Sequence, residues 1–150
     1  MVGSAIKRAF VKENSEKNGS NHILLTPSRK ELDLFDLVAV KNWFLKNKPT
    51  IVIIAAAKVG GIYSNMIYPA DFLIKNLKIQ TNIIESAYLN KVKRLLFLGS
   101  SCIYPKLSNQ PIKEEYLLTD SLEETNQWYA IAKIAGLKLC EAYRRQHEFD

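Results

Sequence analysis

The chain has 150 residues, 47% of them hydrophobic, with a formal net charge of +6 and two cysteines. That is enough apolar material for one domain with a core, which argues against disorder. No apolar run approaches the roughly 18–20 residues that span a bilayer, and Lys7, Arg8 and Lys12 interrupt the N-terminus where a signal peptide needs an apolar stretch.

Val2, Ala5, Ile6, Ala9 and Phe10 recur at helical spacing and predict an amphipathic helix from about Gly3 to Lys12. Residues 13–21 are polar, contain Gly19 and read as a loop. Ile23-Leu24-Leu25 reads as a short strand ending in a turn at Thr26-Pro27-Ser28-Arg29. Asp36 is placed to cap a helix that buries Leu37, Val40, Trp43, Phe44 and Leu45 and stops at Lys48-Pro49. Residues 51–57 form the most β-branched run and predict a central strand. Residues 58–61, with Gly60-Gly61, follow as a loop. A long helix starts at Pro69 or Ala70 and reaches about Leu89, with Leu73, Leu77, Ile84 and Ala87 inward. Residues 95–99 predict a buried strand. Residues 104–125 are irregular around Pro105 and Pro111, and a last helix covers about Gln127 to Gln146.

Strands alternating with helices imply an α/β fold, a doubly wound parallel sheet covered on both faces. Such a fold opens on a strand, whereas this chain opens on a helix. The basic residues are scattered, with local groups at Lys7/Arg8, Lys91/Lys93/Arg94 and Arg144/Arg145. Without a basic stripe interleaved with aromatics they read as solvated surface, so neither nucleic acid nor a membrane is expected as partner.

Ligands of open α/β sheets sit beyond the carboxyl ends of the strands. Residues 95–105 run from an apolar strand into Gly99-Ser100-Ser101-Cys102, and so deliver nucleophilic side chains to that edge. If the chain stays extended past Gly99, Ser100 and Cys102 point the same way. Tyr129 and Lys133 are four apart on a helix and share a face. A lysine beside a phenol stabilises phenolate and lowers the tyrosine pKa, which suits Tyr129 to act as an acid on a carbonyl becoming an alcohol. Ser100 can hydrogen-bond the same carbonyl, and a thiol beside a polarised ketone can move a proton on the adjacent carbon. The plainer readings are a surface helix pair for Tyr129 and Lys133 and a small buried Cys102. Gly3 opens a helix whose N-terminus suits a phosphate. Arg29, just past a strand, can meet the 2′-phosphate of NADP or stand as an exposed turn arginine. Cys102 and Cys140 make no disulfide framework, so a reducing cytoplasm is the simplest compartment. His22 and His147 lie too far apart in sequence to suggest a metal site.

Taken together, Met1-Val2-Gly3-Ser4-Ala5-Ile6, residues 55–62 (Ala-Ala-Ala-Lys-Val-Gly-Gly-Ile), Tyr68-Pro69-Ala70-Asp71-Phe72, residues 95–106 (Leu-Leu-Phe-Leu-Gly-Ser-Ser-Cys-Ile-Tyr-Pro-Lys) and residues 129–136 (Tyr-Ala-Ile-Ala-Lys-Ile-Ala-Gly) closely resemble the GDP-L-fucose synthases. These are extended short-chain dehydrogenase/reductases that epimerise GDP-4-keto-6-deoxy-D-mannose at C3 and C5 and reduce it at C4. The resemblance implies a Rossmann-like NADP(H)-binding domain over residues 1–150. It makes Tyr129 the acid of ketone reduction, Lys133 its partner and a ribose contact, Ser100 a carbonyl contact and Cys102 an acid/base of epimerisation. Met1, Val2 and Gly3 would be the remnant of the phosphate loop. Leu98, Gly99, Ser100 and Ser101 would line the nicotinamide, with Ala56 near the cofactor and Arg29 favouring NADP. It also implies a homodimer in the full-length form. Relative to that family the first strand, two phosphate-loop glycines, the second epimerisation acid/base and most of the substrate domain are not in this sequence. The first strand belongs mid-sheet, so its neighbours would lose ladder partners, and the chain alone is expected to be inactive. The other readings are a non-catalytic Rossmann-like binding or oligomerisation module and another NADP-linked nucleotide-sugar epimerase or reductase.

Overall fold

The computed structural model describes residues 1–16 and 22–150. In chain order it comprises α1 (Val2–Glu16), α2 (Leu37–Asn47), β1 (Ile51–Ile54), α3 (Ile62–Ile67), α4 (Pro69–Leu89), β2 (Arg94–Phe97) and α5 (Gln127–His147), with short 3-10 helices at Ser101–Ile103 and Glu114–Tyr116. The expected loop over residues 13–21 begins later than expected, since Glu13–Glu16 continue α1, and its remainder lies outside the described residues.

The helix ends follow their local chemistry. The Asp36 carboxylate accepts from the Val38 and Ala39 N–H groups at 2.8 and 3.0 Å, offsetting the unpaired donors at a helix start. Lys48 closes α2 in the left-handed region, its N–H bonded to Phe44 O at 2.9 Å, and Pro49 follows. Pro69 opens α4 at a position where its lack of an N–H costs nothing. The α3 helix was not expected. Its apolar residues Ile62, Tyr63, Met66 and Ile67 are exposed, so they leave no core-facing period to read.

β1 and β2 pair in parallel, Ile51 opposite Arg94 through Ile54 opposite Phe97. Both strands end earlier than expected, with Ala55–Ala57 and Leu98–Gly99 outside the ladder. Residues 23–25 are not a strand: among the described residues nothing pairs with them, and the sheet has two strands. A strand exists only through its neighbour's hydrogen bonds.

The core lies on one face of this sheet. Val52, Ile54, Leu95 and Phe97 pack there with Val40 and Phe44 of α2 and Ile79, Ile83, Ile84 and Ala87 of α4. On the other face Ile51, Ile53 and Leu96 are 61%, 43% and 50% exposed. The expected two-sided cover is therefore not seen among the described residues. Apart from Arg94 at its start, the open face is apolar like the closed one, so most of the strand sequence reads as buried on both sides. α1 shows the same effect: Ile6 and Phe10 are half-buried while Val2, Ala5 and Ala9 are exposed. The accessible surface is 10570 Å², against roughly 7,700 Å² for a compact monomer of this mass.

α4 is buried over a wider arc than its apolar residues mark. Leu73 and Leu77 are only half-buried, and Leu37 and Leu45 of α2 are exposed. The inner stripe of α4 instead includes Asn76, Gln80 and Asn82. Each spends its amide on a neighbouring backbone. Asn76 takes both the Lys58 N–H and the Lys58 carbonyl, at 2.9 and 3.0 Å. Gln80 donates to Ala132 O at 2.6 Å and Asn82 to Leu34 O at 2.9 Å. Buried amides are tolerated where their hydrogen bonds are made, and here they pin the loop after β1, helix α5 and the segment before α2 to one scaffold.

Candidate active site

The parallel register makes β1 and β2 leave the sheet at one edge, so Ala55–Ala57 and Leu98–Ser101 emerge side by side. Ser100 is still extended (φ −158°, ψ 150°), but the chain then turns into the 3-10 helix at Ser101–Ile103. The expected strand alternation of Ser100 and Cys102 is therefore absent. The turn keeps the pair together instead, with Cys102 N–H donating to Ser100 Oγ at 3.3 Å.

α5 brings Tyr129 and Lys133 to the same edge. It can come close because its inward residues, Ala130, Ala132 and Gly136, are small and buried. A Cβ at Gly136 would lie 2.6 Å from Phe97 Cζ and 2.8 Å from Gln80 Cδ. Lys133 is only 4% exposed. Its Nζ donates to Leu98 O at 2.8 Å and lies 4.7 Å from the Phe97 ring centroid and 5.9 Å from that of Tyr129.

Burial pushes the Tyr129 phenol above the ordinary tyrosine range; a hydrogen bond from Ser100 pulls it part of the way back, and negative charge on Cys102 pushes it up. Burial also lowers the Lys133 ammonium below the usual lysine range. The expectation that Lys133 lowers the Tyr129 pKa is thus overturned, because desolvation of the phenolate outweighs the other effects. Tyr129 is held as a neutral donor.

The irregular segment folds back to complete the group. Lys106 N–H donates to Ser121 O at 2.9 Å, and Lys106 Nζ pairs with Glu123 at 3.0 Å. This closure carries Asn126, at the start of α5, to Cys102, where Asn126 Nδ2 donates to Sγ at 3.4 Å. Both cysteines are free thiols.

Gly3 reaches this edge too: a Cβ on it would meet Ala55 Cβ at 3.4 Å, placing the start of α1 beside the exposed Ala56. Met1 and Val2 are exposed there. Arg29 lies in an exposed turn at residues 29–31. Among the described residues no hydrogen bond or ion pair ties it to the Ser100–Tyr129 group. A cavity of about 330 Å³ opens elsewhere, between β2, α5 and the Phe149–Asp150 tail, and none of the expected site residues lines it.

Three contributors were not anticipated: Asn126, Gln80 and Phe97. Asn126 carried a usable signal, an asparagine just ahead of a helix. Gln80 and Phe97 did not, since each acts through a contact distant in sequence.

Among the described residues no helix is long and apolar enough to cross a membrane. The model of the NAD dependent epimerase/dehydratase family matches residues 1–150. The chain is 58% identical over 150 residues to GDP-L-fucose synthase 1 of Arabidopsis thaliana, covering all of this chain and 45% of that protein. It is 53% identical to the GDP-L-fucose synthase of Escherichia coli K12, again over all of this chain and 45% of that protein. Among solved structures, a GDP-mannoheptose C4 reductase of Campylobacter jejuni with NADP bound superposes with a TM-score of 0.84 at 40% identity, covering 92% of this chain and 43% of that one. The chain thus spans less than half the length of these relatives.

Proposed function

The chain belongs to the NAD dependent epimerase/dehydratase family, and we propose that it is the cofactor-side part of an enzyme that converts GDP-4-keto-6-deoxy-D-mannose to GDP-L-fucose. The observation that carries this reading is the convergence of Ser100, Tyr129 and Cys102 at one sheet edge, where burial raises the Tyr129 phenol pKa and the Ser100 hydroxyl draws it part of the way back. Relatives named for this conversion are more than half identical over the whole chain.

The residues present fit NADP(H). A lysine ammonium has three donors. Leu98 O takes one of them on Lys133, which leaves two for ribose hydroxyls. Gly3, seated against Ala55, lets a pyrophosphate approach the start of α1 along with Met1 and Val2. Leu98, Gly99, Ser100 and Ser101 would lie along the nicotinamide, with Ala56 opposite, and the Arg29 guanidinium would favour NADP over NAD. When bound, NADPH supplies the hydride that reduces C4.

The side chains supply the rest. A ketone at C4 acidifies the C–H bonds at C3 and C5, and Cys102 as thiolate accepts one of those protons. Ser100 hydrogen-bonds O4 while negative charge gathers there. Inversion of the carbon then needs a proton delivered from the opposite side, by an acid that the described residues of this chain do not supply. In the reduction step Tyr129 gives its proton to O4 as the alcohol forms.

We further propose a homodimer for the longer form, through α4 and α5, on which Ile74, Trp128 and Ile131 are 48%, 40% and 38% exposed. A cytoplasmic setting keeps Cys102 reduced. The 150-residue chain alone should not turn over the substrate; measurable conversion by the purified chain would overturn that statement. A second reading, another NADP-linked nucleotide-sugar reductase, draws on the likeness to the C4 reductase. A chimera decides between the two: residues 1–150 replace the matching segment of the Escherichia coli enzyme, and products are identified with NADPH present. GDP-L-fucose supports the first reading. Reduction without inversion at C3 and C5 supports the second, and no NADPH consumption sinks both.

A further inference from the structure

Asparagine at a helix N-cap ordinarily accepts a backbone N–H from its own first turn. Asn126 caps α5 by position but makes no such side-chain bond. Its backbone carbonyl does accept from Ala130 N at 3.1 Å, so the helix fixes its main chain. Its Nδ2 donates to Cys102 Sγ at 3.4 Å, and its Oδ1 is buried with no hydrogen-bond partner among the described residues. The residue thus forgoes a cap and buries an unpaired oxygen, both of which cost stability, while its one side-chain hydrogen bond is spent on sulfur.

We propose that Asn126 is a positioning residue for Cys102, holding the sulfur beside the Ser100 and Tyr129 hydroxyls and favouring its thiolate form. A donor N–H stabilises a negative acceptor more than a neutral one. Among the described residues no other side chain donates a hydrogen bond to this sulfur. Tyr129, from α5, carries no positive charge. The Ser100 hydroxyl accepts the Cys102 N–H. Lys133 directs one N–H to Leu98 O and makes no hydrogen bond to the sulfur, and the Lys106 charge is paired with Glu123. A neutral donor also leaves the thiolate basic enough to take a proton from carbon, as a fixed cation at contact distance would not. The role in epimerisation rests on the function proposed above; the effect on the thiol does not.

The test is the pH profile of Cys102 alkylation by iodoacetamide in the 150-residue chain, followed by peptide mass spectrometry, with Cys140 as the internal control. Asn126→Ala should move the half-maximal rate to higher pH, seen as a fall of about fivefold at neutral pH. Asn126→Asp should lower it further, by about tenfold or more, because a carboxylate then faces the sulfur. A change in access scales the rate equally at every pH and leaves the midpoint in place. An unshifted midpoint overturns the proposal, as does a shift to lower pH, which would mean that the amide oxygen holds the thiol proton. Should the variants fail to fold, the unmutated chain still answers: the Asn126 side-chain amide signals in 15N NMR must titrate with the alkylation midpoint, and flat signals overturn the proposal. A chimera that makes no GDP-L-fucose while the alkylation midpoint still shifts would reject the function and leave the thiol–amide pair standing.

Discussion

Lys133 Nζ donates to Leu98 O at 2.8 Å across 35 residues of sequence, tying α5 to the chain where it leaves β2. The bond links the two segments that carry the site, and it places an ammonium where burial disfavours its charge. Its removal should therefore separate folding from function.

Lys133→Met keeps the buried stem and drops the charge. We expect the melting temperature to rise by about 2–4 °C near neutral pH, the shift that ~1 kcal/mol produces at this size, while reduction in the chimera is lost. The sign of the pH dependence follows from the lowered folded-state pKa of Lys133. Its contribution to stability is fully present above the unfolded value of about 10.5 and is lost as pH falls through the folded value. The gap between Lys133→Met and the native chain should close as pH climbs towards ~10.5; a gap that persists there would be wrong for this account.

Gly136→Ala should destabilise the chain by about 1–3 kcal/mol. The added methyl meets Phe97 at 2.6 Å and the Gln80 amide at 2.8 Å, and the bond from Gln80 to Ala132 O has to yield. Thermal melts measure this directly. An unchanged melting temperature would mean that α5 can back away from β2 without penalty.

Ser100→Ala removes the contact that pulls the Tyr129 phenol down. The Tyr129 titration, followed by 13C NMR at Cζ, should move to still higher pH. In the chimera the same change, or Tyr129→Phe, should slow reduction by about a hundredfold or more.

Cys102→Ser in the chimera should slow exchange of the C3 and C5 protons with solvent deuterium while sparing reduction of a substrate already epimerised. Equal loss of both steps would favour the plain reductase reading.

NADPH should raise the melting temperature of the 150-residue chain if the Gly3, Ala56 and Leu98–Ser101 edge forms a working cradle. At a hundredfold excess over Kd the gain is about 2.7 kcal/mol, or roughly 5–10 °C at this size. NADH should give less, and Arg29→Ala should narrow the difference. A melt indifferent to both cofactors would restrict the cofactor role to the longer form.

The sequence by itself determined what local chemistry dictates. The Asp36 cap, the stop at Lys48-Pro49, the long helix from Pro69 and the helix carrying Tyr129 and Lys133 all depend on near neighbours, and all are present. So does the family, because residues 95–106 and 129–136 are long specific strings. Tertiary structure decided whatever depends on a distant partner. Ile23-Leu24-Leu25 has strand composition, but a strand needs a neighbour and none pairs with it. Ile53 and Leu96 are as apolar as Ile54 and Phe97, yet only the second pair meets α4 and α5. Asn76, Gln80 and Asn82 read as polar surface until their amides find backbone across the fold. Tyr129 and Lys133 were legible as a pair, but the direction in which the phenol shifts was not. Spacing shows which charges are near, and only burial sets what it costs to bear one.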